Sequence, residues 1–270
     1  MAVLRRCNLC LKRENLTKDH IFPQSIAIPV QRQIKYILKQ IKPENKGKRT
    51  TFLAQNGLQK RTLCGHCNNT ALGTILDPAL AELCTEASLQ LRNSKFLMNS
   101  VMHLEKIQLN KVARAVAGHF IAHDDEPTHK HLLIKALRRY VFNAGQSFPE
   151  NYRFHIWLYP FKEQAVMKDL FHAQLGRGYE PFGISAYKTF PFAFAFSNRI
   201  HNPAYSLRGT LDITDYLSKN IDEYFRVKID TRSIVDRNWP HAPIKDGVIL
   251  TSENESITTK PLMNVKPYPY

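Results

Sequence analysis

The sequence is short of acid. Against 38 lysines and arginines stand only 23 aspartates and glutamates, a formal net charge of +15, and such a balance favours a polyanionic partner. Long apolar runs are missing too: no stretch of about 18 apolar residues could span a bilayer, which places nucleic acid ahead of a membrane as that partner. The opening Met1-Ala2-Val3-Leu4-Arg5-Arg6-Cys7 has basic residues without an apolar stretch behind them, unlike a secretory leader, and the expected location is the cytosol. There is no internal repeat and no low-complexity tract. Cysteine is scarce and odd in number, five in all, which argues against a disulfide scaffold. Hydrophobic residues, in contrast, make up 43% of the 270 positions and aromatics 10%, enough for a packed core and too much for wholesale disorder.

Four of the five cysteines fall into two matched pairs, Cys7-Asn8-Leu9-Cys10 and Cys64-Gly65-His66-Cys67. A two-residue gap lets both sulfurs of a tight turn reach one ion, so the pairs suit a tetrahedral Zn²⁺ with thiolate arms of about 2.3 Å. Four soft ligands leave no open position, and the expected zinc is structural. Between the pairs lies Leu16-Thr17-Lys18-Asp19-His20-Ile21-Phe22-Pro23, whose β-branched and aromatic content predicts a short strand stopped by Pro23. Directly after the last cysteine comes Asn68, with Asn69 as a competitor for any role it plays. A histidine with an ordinary pKa near about 6.5 can take a proton from water at neutral pH, and a carboxylate with an amide oxygen are hard ligands for Mg²⁺.

Together these residues resemble the HNH, or ββα-metal, endonucleases, in particular the zinc-knuckle branch of phage recombination endonucleases: Cys-x-x-Cys, then Asp-His, then Cys-x-x-Cys-Asn. The string Asp19-His20-Ile21-Phe22-Pro23-Gln24-Ser25 is also similar to the segment around the catalytic histidine of HNH domains in CRISPR effector nucleases. The resemblance covers about residues 5–77. It implies that His20 is the general base that activates water, and that Asp19 and Asn68 hold a catalytic Mg²⁺ or Mn²⁺ ion. Many members carry a middle asparagine that orients the histidine; in the stretch 55–63 before Cys64 the only asparagine is Asn56.

The long interval between Cys10 and Cys64 reads as an insertion over residues 31–61, the most basic part of the chain. Lys35, Lys39, Lys42, Lys46, Lys48, Arg49, Lys60 and Arg61 are candidates to grip a DNA backbone, although charge runs are commonly solvated surface. Ile34, Ile37, Leu38 and Ile41 at helical spacing predict a short helix ending before Pro43. Asp77-Pro78 looks like an N-cap with proline in the first turn, and Leu80, Leu83, Cys84, Ala87 and Leu91 repeat behind it. Cys84 then belongs to the core.

Further on, 109–122 and 129–143 are expected to be helices, and Phe154–Tyr159, Tyr187–Phe196 and Phe225–Ile229 strands. The tail from Thr251 to Tyr270 is expected to be extended or poorly ordered. His119 and His123 precede Asp124-Asp125-Glu126, but no glutamate sits between them as in a zinc protease, and a polar helix end is the favoured reading. Lys135, Arg138 and Arg139 are candidates to extend the basic surface, His66 is expected to fill an exposed turn, and Phe190, Phe192, Phe194 and Phe196 to form the buried face of a core strand.

The expectation is an α+β protein: a zinc-stabilised ββα-metal (HNH) nuclease module at 1–95, followed by a mixed α+β domain at 96–270 that positions substrate or docks a regulatory protein. The activity implied is metal-dependent hydrolysis of DNA phosphodiesters, with family association suggesting an effector of a prokaryotic antiviral or mobile-element system. The alternative is a zinc-ribbon nucleic-acid-binding protein without catalysis.

Overall fold

A computed structural model describes residues 4–93, 100–128, 131–174, 181–198, 207, 209–217, 220–232, 235–242, 247–251 and 256–262. It is a mixed α+β structure, richer in sheet than in helix. In chain order the strands are β1 (Arg5–Arg6), β2 (Arg13–Glu14), β3 (Leu16–His20), β4 (Arg32–Tyr36), β5 (Thr51–Ala54), β6 (Gln59–Cys64), β7 (Val101–Ile107) and β8 (Tyr152–Leu158). They continue with β9 (Gln164–Gln174), β10 (Phe182–Thr189), β11 (Phe192–Asn198), β12 (Leu211–Asp212), β13 (Phe225–Asp230), β14 (Gly247–Thr251) and β15 (Ile257–Pro261). The helices are α1 (Ile37–Ile41), a π-helix over His66–Leu76, α2 (Asp77–Asn93), α3 (Leu109–Ala122) and α4 (Leu132–Phe142).

Nine strands form one sheet in the order β12-β8-β11-β10-β9-β15-β4-β5, with β14 also paired to β9. β11 explains why the middle of this sheet is buried on both faces. Phe192, Phe194 and Phe196 point into a large cluster that takes in α3 and α4, while Ala193 and Ala195 point into a second cluster with Trp157, Met167 and Trp239. That is the period-two alternation of a strand with apolar residues on both faces. Phe196 meets Phe120 of α3 at a ring separation of 5.2 Å. No described helix is long and apolar enough to cross a membrane.

Several expectations need correcting. Tyr187–Phe196 is two antiparallel strands rather than one, since Phe190-Pro191 turns the chain between β10 and β11. Ile34 belongs to β4, and only Ile37–Ile41 is helical. In the tail, residues 252–255 and 263–270 lie outside the described residues; of the two alternatives, extended or poorly ordered, Ile257-Thr258-Thr259-Lys260-Pro261 takes the extended one, as a regular strand between β4 and β9. Its β-branched residues favour a pleated surface, and Ile257 and Thr259 are buried.

This pairing ties the two ends of the chain together. β4 and β5, from the basic segment, complete a sheet whose other strands all come from beyond residue 150. The main apolar cluster likewise runs from Cys7 and Leu9 through α2 and α3 to Ile257. Asp77 is not an N-cap, because the π-helix runs into α2 with Asp77 already in right-handed helical backbone. Pro78, which has no N–H, follows directly after the last π-helical bond, from Asp77 N–H to Leu72 O. α3 packs closely here: a Cβ on Gly118 would collide with the Leu72 side chain.

Candidate metal centre and cleft

Cys7 and Cys10 lie on the turn between β1 and β2, Cys64 ends β6, and Cys67 opens the π-helix. Their sulfurs all lie within 4.8 Å of one another, and Cys10 Sγ is 3.8 Å from Cys64 Sγ. A tetrahedron with arms of about 2.3 Å has edges of about 3.8 Å, so the cluster is compatible with structural zinc. The hydrogen bond from Cys67 lowers the Cys7 pKa despite burial, and the same bond raises that of Cys67. Cys84 is buried elsewhere in the core, as expected.

The cysteine unit is clamped to the C-terminal end of α3, whose last carbonyls have no partners within the helix. Asn8 Nδ2 donates to Ile121 O and Asp124 O, and Thr62 Oγ1 donates to Ala122 O at 2.6 Å. Lys60 Nζ donates to His123 O and pairs with Asp125 at 2.7 Å. Arg138, read from sequence as surface, is instead buried, with Nε donating to Asn8 O at 2.6 Å. Its charge lies close enough to act on Cys7.

Beside the cysteines, β3 and β6 pair antiparallel and lead into the π-helix, so two strands and a helix meet. At their junction is a cleft of about 540 Å³ lined by, among others, Asp19, His20, Asn68, Asn69, Asp77 and His119. The ladder shifts register between Thr17 and Asp19, a bulge of the kind that re-aims side chains next to sites. Asp19 is buried and His20 half-buried.

His20 sits opposite Gln59 in the ladder, and its Nε2 meets Gln59 Nε2 at 2.8 Å and Gln24 Nε2 at 3.3 Å. Both neighbours are amide donors, so Nε2 presents its lone pair. The backbone of Asn56 also interacts with the ring and favours its charged form. Burial outweighs that interaction and lowers the His20 pKa, which keeps the ring neutral at pH 7. Asn56 therefore does touch His20, through its backbone.

Asn68 Nδ2 donates to Thr17 Oγ1 and to Lys18 O, each at 3.0 Å. With the nitrogen tied to β3, the side-chain oxygen is the atom left for a cation. Asn69 lines the same cleft but is exposed, and His66 is exposed as expected.

Two residues in the cleft were read from sequence as structural only, Asp77 as an N-cap and His119 as part of a helix end. His119 is buried on α3, and Asp77 receives a hydrogen bond from His119 Nε2 at 2.9 Å. On the ring's other side, Asp19 Oδ2 is 3.8 Å from His119 Nδ1. Burial raises the Asp19 pKa to about 6, with His119 opposing and Asp77 adding to the rise. Burial works against charge on His119, but Asp77 and Asp19 outweigh it and raise its pKa. Gly118 could have hinted at close packing here, but nothing local to residue 119 points to residue 19.

The basic candidates divide into two groups. Lys35, Lys46, Lys48, Arg49 and Arg61 are exposed, Lys42 lies 3.9 Å from Glu44, and Lys39 stacks over the Tyr36 ring at 4.1 Å. Lys60 is committed to the end of α3. A second groove, of about 510 Å³, is lined by Lys18, Asn56, Gln59, Lys60 and Arg61 among others, and shares Lys18 with the cleft. Comparison with protein-family models, curated proteins and solved structures yields no match to this chain.

Proposed function

We propose that the protein is a divalent-metal-dependent endonuclease of the HNH type, hydrolysing phosphodiester bonds in DNA. The observation that carries this reading is the convergence of Asp19, His20 and Asn68 on one cleft where two antiparallel strands meet a helix. The neutral His20, with the lone pair of Nε2 directed at displaceable glutamine amides, has the tautomer and protonation state of a general base toward water. Asp19 and Asn68 offer a carboxylate and an amide oxygen, donors that suit Mg²⁺ or Mn²⁺. When bound, such an ion supplies Lewis-acid stabilisation of charge on the phosphate and the leaving oxygen. The four-cysteine cluster, occupied by zinc, holds β6 and the helix start in register, and the exposed basic residues of 31–61 meet the DNA backbone.

The decisive experiment is plasmid cleavage by wild-type and His20→Ala protein in Mg²⁺, Mn²⁺ and EDTA. Cutting by the wild type should require the metal, and the variant should lose roughly 10²–10⁴-fold in rate while retaining DNA affinity. A variant that cuts at the wild-type rate removes His20 as base; a wild type that binds DNA equally well in chelator and never cuts leaves the non-catalytic binding module.

A further inference from the structure

At the back of the cleft two buried polar atoms, Asp19 Oδ2 and His119 Nδ1, face each other with no hydrogen-bond partner among the described residues. Their separation of 3.8 Å is too long for a hydrogen bond. Leaving both unsatisfied in a packed interior is costly, which calls for a species that satisfies both. Two ligand atoms about 2.1 Å from a common ion stand about 3.0–3.4 Å apart at coordination angles of about 90–109°, so a small side-chain adjustment brings this pair into range. The other nitrogen of the same ring is already placed, since His119 Nε2–H donates to Asp77 Oδ1 at 2.9 Å. One nitrogen bonded to a carboxylate and the other aimed at a second ligand atom is the arrangement of a metal-bound histidine, whose outer partner fixes the tautomer and raises ligand basicity.

We propose that His119 Nδ1 is a ligand of the divalent ion, shared with Asp19, and that Asp77 is its orienting partner. The proposal rests on the nuclease reading for the ion's presence but adds a ligand from α3, far along the chain from the strands and the helix that carry Asp19, His20 and Asn68. It has a consequence for metal choice. An imidazole ligand biases the site away from Mg²⁺, which prefers oxygen and water, toward Mn²⁺ and neighbouring transition ions.

The test uses the full-length, zinc-loaded protein with Mn²⁺ as the probe, read by pulsed EPR for hyperfine coupling to nitrogen and by titration for affinity. Wild type should bind Mn²⁺ with a directly coordinated imidazole nitrogen, labelled by [¹⁵N]histidine. That coupling should persist in His20→Ala and vanish in His119→Gln. Asp77→Asn should keep the coupling and weaken Mn²⁺ binding by about 10-fold or more, and His119→Gln should weaken Mn²⁺ more than Mg²⁺. One-to-one Mn²⁺ binding without nitrogen coupling in wild type, or coupling that survives in folded His119→Gln, overturns the proposal. Should His119→Gln fail to fold, the wild-type and His20→Ala spectra decide. Metal-dependent cutting with a nitrogen-free Mn²⁺ signal removes His119 and retains the nuclease; no Mn²⁺ binding with no cutting removes both.

Discussion

The cysteine cluster and the carboxylate–histidine cleft are neighbours in the chain, for Cys67 belongs to one and Asn68 to the other, yet they are built on opposite principles. The cluster takes four soft ligands from two tight turns and is closed, with its sulfurs within 4.8 Å of one another. The cleft gathers hard oxygens and ring nitrogens from β3, the π-helix, the start of α2 and α3, and it is open to solvent. A closed set can hold a fold together but has no position for a substrate; an open set can do chemistry but needs scaffolding. α3 connects the two, because side chains of the cysteine unit cap its last carbonyls while His119, within the same final turn, enters the cleft.

The comparison is broken most severely by opening the closed set. Cys64→Ser should lose zinc and several kcal/mol of stability, lowering the melting temperature by roughly 10 °C or more, as calorimetry and a colorimetric zinc assay would register. A variant that melts like the wild type would mean that the thiols pack without needing a metal.

A smaller effect, of opposite sign, is expected in the cleft. The folded pKa of Asp19 is about 6, above its ordinary 3.8, so the unfolded chain releases the proton first. Stability is then lost as pH rises from about 4 through 6 and is flat above. Asp19→Asn removes that loss and, in protein freed of Mg²⁺ and Mn²⁺, should gain on the order of 1–3 kcal/mol at pH 8 and little near pH 4 in urea unfolding. Destabilisation at pH 8 would instead make Asp19 a structural partner of His119.

The mildest effects should come from the basic segment. Replacing Lys46, Lys48 and Arg49 by alanine should weaken DNA binding a few-fold and flatten its salt dependence, by up to about 0.9 in slope for each phosphate that is no longer neutralised. Lys60→Ala should leave that slope unchanged and act on stability, since its ammonium is bound to Asp125 and the His123 carbonyl. An unchanged slope in the triple variant would assign these charges to solvated surface.

Much of this molecule was legible without coordinates because the signals were local. The two Cys-x-x-Cys turns, a strand through Asp19-His20, α3, and the phenylalanine face of β11 each follow from residue type and short-range spacing, although that strand ends at His20 and not at Pro23. Other features were hidden because distant residues decide them. The backbone hydrogen bond of Asn56 with His20 depends on strand register, and the strand at Ile257–Pro261 exists because β4 and β9 leave a slot for it. Asp77 had the local signature of a cap, but the helix already running into it from the π-turn freed its carboxylate for His119. Sequence alone therefore determined the zinc-type cysteines and the Asp19-His20/Asn68 pattern, since ligand spacing and strand period are properties of a few consecutive residues. Tertiary structure alone decided that Asp19, His119 and Asp77 share one buried site. Burial and charge proximity arise only when α3 packs against the π-helix, and no local pattern encodes that packing.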